Sequence, residues 1–372
     1  MKGFIRSKLF SALAALVMIT AAVVIPLSGS IIHTHAQSTV TFTEFNVSTS
    51  GSGPEGIAKG PDGNLWFTEA SASKIGRITS SGVITEFPLS TPGSEPFGIT
   101  TGSDGNLWFT ESTGNKIGKI TPTGTITEYP IPTTNSGPLG ITSGLDGNLW
   151  FTEAGVAESD AYKIGKITTA GVITEYQVPT VNSAPWGITS GTDGNLWFTE
   201  FSGSNIGKIT PSGVITEYPI PTTNSGPTGI TQGPDNNLWF TESIGTSKIS
   251  KITTNGTITE YTVPSGSNLI EIAAGSDGNL WFTENIANSI GSITPNGTIT
   301  EYSLPTTNSG PYGITAGPDG NLWFTEYSAN QIGRINLSSP SPTPTPTFPP
   351  TPTPPPGENP FYVTATHIPQ KG

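Results

Sequence analysis

The chain has 372 residues with 27 acidic against 15 basic side chains, a formal net charge of −12, and no cysteine. The missing thiols exclude disulfides, a cysteine nucleophile, Cys-ligated zinc and a lipidated cysteine. The acidic balance argues against nucleic acid as a partner, because phosphates call for a basic face.

Residues 1–36 have the layout of a secretory signal: Lys2, Arg6 and Lys8 precede an uncharged apolar run from Leu9 to Leu27, and a cleavage point follows Ala36 in Thr34-His35-Ala36. The run is about 19 residues long, so an uncleaved membrane anchor is the alternative. Pro26, Gly29 and Ser30 near its end favour cleavage, and with it a secreted or cell-surface protein that begins near Gln37. The remainder keeps 12 basic and 27 acidic residues, 12 − 27 = −15.

From residue 39 to 337 the chain repeats itself. The Asn that opens "NLWFTE" falls at 64, 106, 148, 195, 237, 279 and 321, spaced by 42 residues except for one interval of 47. The longer interval carries an insertion in "AGVAESDAYKIG" (154–165), between two apolar runs where a loop absorbs it at small entropic cost. Each unit holds four short runs of β-formers, such as "YGIT", "NLWFTE", "QIGRI" and "VITEY", separated by turn residues, and none has a helical period. Four strands per 42 residues predicts an all-β fold, a seven-bladed β-propeller of four-stranded blades.

The outermost strand, "TEF" or "TEY", occurs at Glu44, Glu86, Glu128, Glu175, Glu217, Glu260 and Glu301. Its first copy precedes any complete unit and the seventh "NLWFTE" has none after it. Thus the N-terminal strand near Val40 to Val47 completes the last blade and closes the ring, which leaves no open sheet edge and predicts a monomer. Beyond the ring, residues 338–360 form a Pro/Thr-rich linker in which ten of the 17 residues from Pro340 to Pro356 are proline. At about 3.1 Å per residue this is a stiff spacer of roughly 50 Å. A short tail, 361–372, follows.

In a propeller the first strand of each blade lines the central channel. Positions that agree among the repeats serve the common blade, so the seven tryptophans of "NLWFTE" read as core and the Asp of "DGN" as a turn residue. Positions that differ are candidates for binding. The residue x of "PxGI" is Glu55, Phe97, Leu139, Trp186, Thr228, Ile270 or Tyr312. These residues either plug the channel or form an aromatic-lined funnel for a ligand.

The glutamates that end "NLWFTE" form a ring of seven acids, which invites a divalent cation. Lys74, Lys116, Lys163 and Lys248 are placed to neutralise four of them across a hairpin. Glu200, Glu284 and Glu326 lack such a lysine and are the candidate metal ligands.

The segment "SGPYGITAGPDGNLWFTEYSANQIGRI" (309–335) and its sister units resemble the virginiamycin B lyases, or streptogramin lyases. That resemblance implies a seven-bladed propeller that linearises cyclic depsipeptide antibiotics with Mg²⁺, by elimination across the ester C–O bond. It also implies histidines at the x of "PxGI" in the last two units and an acid near the end of the last "WFxE"-like strand. Those places hold Ile270, Tyr312 and Glu326 here, and the chain's three histidines, His33, His35 and His367, all lie outside the ring. The expected function is therefore binding of a small apolar or peptide-like ligand or of a cell-surface partner. A carbon–oxygen lyase with Glu326, Tyr312 and Mg²⁺ in place of histidine is the alternative, and a display module on the Pro-Thr stalk the third reading.

Overall fold

The structure, a computed structural model, describes residues 40–155, 162–265 and 268–337. The expected signal at 1–36, the expected linker at 338–360, the tail at 361–372 and residues 156–161 of the insertion lie outside the described residues. Twenty-eight strands form seven separate four-stranded antiparallel sheets. In the first blade these are Pro54–Lys59, Leu65–Glu69, Lys74–Ile78 and Ile84–Pro88, from the channel outward. The predicted seven-bladed propeller is thus observed.

Ring closure follows the expected register. Thr41–Asn46 pairs antiparallel with Gln331–Asn336, Thr41 facing Asn336 and Asn46 facing Gln331. The blade so completed also contains Pro311–Ala316 and Leu322–Glu326.

The core lies between blades. Trp66 and Ile75 of the first blade pack with Ile99, Leu107, Phe109 and Ile120 of the second. The seam between last and first blades is built alike, from Trp323 and Ile332 against Ile57, Leu65, Phe67 and Ile78. All seven "NLWFTE" tryptophans are at most 2% exposed, and burial of each such apolar side chain favours the fold by about 1.5–3 kcal/mol. Each indole keeps a polar partner in the "DGN" turn, as Trp66 Nε1 donates to Asp62 Oδ1 at 3.0 Å.

Polar clamps reinforce every seam. The outer-strand glutamate of each blade accepts a backbone N–H from the loop of the preceding blade: Thr49 to Glu86 at 3.0 Å, Thr180 to Glu217 at 2.9 Å, and at the closure Thr306 to Glu44 at 3.2 Å.

Candidate active site and channel

The channel wall is made by the "PxGI" strands. In each blade the pairing of this strand with the next shifts register after the first residue, as between Pro54 and Ile57. The shift takes the N–H of the glycine out of the backbone ladder, and the side chain of a threonine in "WFTE" accepts it instead: Gly56 N donates to Thr68 Oγ1 at 2.9 Å. Thr68 Oγ1 in turn donates to the Phe97 carbonyl of the following blade at 2.8 Å. The same relay joins all seven blades, through Thr110, Thr152, Thr199, Thr241, Thr283 and Thr325.

Of the seven x residues, four converge on one cavity. Glu55, Phe97, Trp186 and Tyr312 line a space of about 130 Å³ at the axis. Leu139, Thr228 and Ile270 do not join them: they are 9%, 2% and 6% exposed and are not part of the cavity lining. Thr228 is held there because its hydroxyl meets Thr241 Oγ1 at 2.7 Å and the Ile270 carbonyl at 2.9 Å. Of the seven candidate positions the structure thus brings four together at the cavity and leaves three outside its lining.

The aromatic residues touch one another across the axis. Phe97 meets Trp186 edge-on at 5.7 Å and Tyr312 edge-on at 5.8 Å, and Phe201 and Tyr327 extend the chain of rings at either end. The mouth is accordingly narrowed by rings in contact and is not an open funnel, although each of the three central rings keeps some exposure. The Trp186 indole Nε1 is buried without a hydrogen-bond partner.

Two carboxyls share this cavity. Burial, and then the neighbouring Glu95, push Glu55 up to about 8. The second is Glu271, which stands where every other repeat has the glycine of "PxGI"; burial pushes it up to about 7. Sequence reasoning confined to x missed it, but the signal was present, since the sixth unit reads "LIEI" instead of "PxGI". Burial, then Glu55, Glu271 and Tyr327, hold the Tyr312 phenol well above its ordinary value of 10. Tyr312 is therefore a neutral hydrogen-bonding group at physiological pH and no base.

The "NLWFTE" glutamates are fully buried, all seven. Glu69 faces Lys74 in the strand register as expected. The ammonium, however, turns to the outer strand: Lys74 pairs with Glu86 at 3.4 Å, Lys116 with Glu128 at 2.7 Å, Lys163 with Glu175 at 3.8 Å and Lys248 with Glu260 at 3.1 Å. The expected partnership with Glu69, Glu111, Glu153 and Glu242 is thus corrected, because a long lysine stem reaches the less buried carboxylate, where a charge is better solvated. Burial would raise Glu86, but Thr49 and Lys74 hold it below the usual carboxylate range. The inner acids go the other way: burial and then Glu86 push Glu69 up to about 7, and burial and then Glu175 push Glu153 up to about 9.

Glu200, Glu284 and Glu326 sit in three different blades. Asn205 Nδ2 donates to Glu200 at 3.1 Å and the Ser265 hydroxyl to Glu284. Neither oxygen of Glu326 accepts a hydrogen bond, and Ser309 beside it donates its hydroxyl to Asn288 Oδ1 at 2.9 Å. Burial pushes Glu326 up to about 7, so it is partly protonated near pH 7 and largely neutral below about pH 6. Mg²⁺ demands a near-octahedral set of oxygen ligands. Among the described residues no three acidic, histidine or cysteine side chains come together to hold a metal. Glu200, Glu284 and Glu326, each in its own blade, therefore do not form one shared cation site.

The likeness to known proteins covers the whole ring. The virginiamycin B lyase family matches residues 31–222 and 156–340. A solved streptogramin B lyase is 46% identical over 80% of this chain and 98% of its own, with a TM-score of 0.76. Virginiamycin B lyase from Staphylococcus aureus is 44% identical over 81% of this chain and 100% of its own, again with a TM-score of 0.76. A catalytically inactive histidine-to-alanine variant of the Staphylococcus aureus enzyme, with quinupristin, is 43% identical over the same shares of the two chains, also at 0.76. Seven matching blades, the closure by the N-terminal strand and this identity carry one conclusion: the chain belongs to the virginiamycin B lyase family.

Proposed function

We propose that this chain is an exported binding member of the family, one that holds a small apolar or peptide-like ligand at the channel mouth without opening streptogramins. The observation that carries the reading is the replacement of the family's histidine positions by a buried Ile270 and by Tyr312, whose phenol titrates far too high to serve as a base. The histidine-to-alanine variant of the Staphylococcus aureus enzyme is catalytically inactive, and this ring contains no histidine at all. The contact of Phe97 with both Trp186 and Tyr312 supports an apolar recognition surface.

Incubation with a type B streptogramin and Mg²⁺ tests the reading: no linear product is expected above a no-protein control, and an isobaric linear product overturns it. Loss of a positioned base typically removes about 10²- to 10⁴-fold of rate. A second reading, elimination with a substitute base, draws support from Glu55 and Glu271, whose near-neutral pKa values suit a base and whose carboxyls lie in the same cavity as Tyr312. Abolition of any product by Glu271→Gln or Glu55→Gln would favour it. Export is tested by the intact mass of secreted material, which should begin near Gln37; a chain retaining Met1 to Ala36 would favour a membrane anchor.

A further inference from the structure

Six inner strands carry glycine after x, at Gly56, Gly98, Gly140, Gly187, Gly229 and Gly313, and the sixth blade alone carries Glu271. The glycines are needed because neighbouring strands crowd at the axis. A Cβ on Gly56 would lie 2.3 Å from the Phe97 carbonyl oxygen, and one on Gly313 2.3 Å from that of Glu55. Glu271 is tolerated because its side chain enters the space that the glycines leave: its Oε2 lies 2.8 Å from the place of a Cβ on Gly229.

The carboxyl is enclosed by the channel wall, and what surface it keeps faces the 130 Å³ cavity, far more than the ~10–15 Å³ that one water requires. The backbone amide of Ile272 donates a hydrogen bond to it. Tyr312 feels both Glu271 and Glu55, together with Tyr327, Glu95 acts on Glu55, and none of the residues lining the cavity is Lys, Arg or His. Two acids in an aromatic box, without a protein cation to neutralise them, define a complementary ligand.

We propose that the channel binds a protonated amine, its ammonium beside Glu271 and Glu55 and its apolar body against Trp186, Phe97 and Tyr312. The inference rests on the binding reading above and names its ligand class. An ammonium supplies N–H donors beyond the one backbone amide that reaches Glu271, and the π faces of Trp and Tyr attract it further. The cavity admits the head of such a ligand, and the rest must lie over the rings at the mouth. Binding of the cation favours the ionised acids and so releases protons from a channel whose carboxyls are largely neutral when empty.

The test compares benzylammonium with benzyl alcohol, two probes of similar shape that differ in charge. Titration at pH 6, where both acids are mainly protonated in the empty channel, is followed by calorimetry in two buffers of different ionisation heat and by the fluorescence of Trp186. Wild-type protein is expected to bind the amine about tenfold or more tightly than the alcohol, with proton release. Glu271→Gln removes that preference and leaves the affinity for the alcohol unchanged. Glu271→Gly, which restores the residue of the other six blades and so keeps the fold, does the same. Equal affinity for both probes, or an undiminished preference in both variants, overturns the ammonium inference while the binding reading stands. If neither probe perturbs Trp186 or gives heat, both fall.

Discussion

Thr325 Oγ1 donates to the carbonyl oxygen of Glu55 at 2.6 Å, across 270 residues of chain. The same hydroxyl accepts the Gly313 N–H at 2.8 Å, so one side chain ties the last blade to the first and satisfies a buried amide. Replacement by the isosteric Thr325→Val leaves both backbone groups unpaired, and urea unfolding should show a loss of about 1–3 kcal/mol. Thr325→Ser keeps the hydroxyl and should recover most of it. Equal stability of the valine variant and wild type would show that water or relaxation replaces the relay.

Deletion of residues 37–48 removes the strand Thr41–Asn46, the Phe45 ring stacked 5.6 Å from Trp323, and the Glu44 carboxylate that holds Thr306. It bares the edge of Gln331–Asn336. Gel filtration should show oligomers or unfolded chain. A truncated monomer with an unchanged melting temperature would disprove the role assigned to the closing strand.

Stability should fall as pH rises from about 5 to 8. The inner glutamates have folded pKa values above the unfolded value of 4.5, about 7 for Glu69, Glu111, Glu242 and Glu326, about 8 for Glu200 and about 9 for Glu153. Between 4.5 and those values the native chain holds protons that the unfolded chain has released, so each added pH unit favours unfolding. Outer acids such as Glu86 and Glu128 are lowered and act oppositely, losing their contribution only as pH drops below the ordinary carboxylate range. The melting temperature should therefore peak near pH 4.5–5, and Glu153→Gln should flatten the alkaline decline. A melting temperature that rises steadily to pH 8 would contradict the neutral state of these acids.

Glu326→Gln tests the metal directly, because it keeps the shape of a neutral carboxyl. Wild type and variant should respond identically to millimolar Mg²⁺ in a thermal melt, and the variant should be at least as stable at pH 8. A rise in melting temperature with Mg²⁺ in wild type that the variant lacks would make Glu326 a cation ligand after all.

The fold was legible because the repeats print each blade seven times, and the displaced outer strand at Glu44 announces the closure before any packing is considered. The site was legible only in part. Position x picked out Phe97, Trp186 and Tyr312, but which x residues reach the axis depends on packing in each seam, and Thr228 is drawn aside by Thr241 in a way no repeat pattern records. The lysines were misassigned because two carboxylates lie within reach of each ammonium, and relative burial, invisible in sequence, decides between them. Glu271 was visible as a broken repeat, yet its meaning depended on learning that glycine there marks a steric limit.

That broken repeat has an orientational consequence. In its backbone, a ring with glycine after x at every blade would look nearly the same from all seven directions. One carboxyl at Glu271, with Glu55 two blades onward, gives the channel a polar side and an apolar side. The two acids lift the scaffold's rotational near-equivalence, so a guest bound as proposed would be held to one compass bearing as well as one depth.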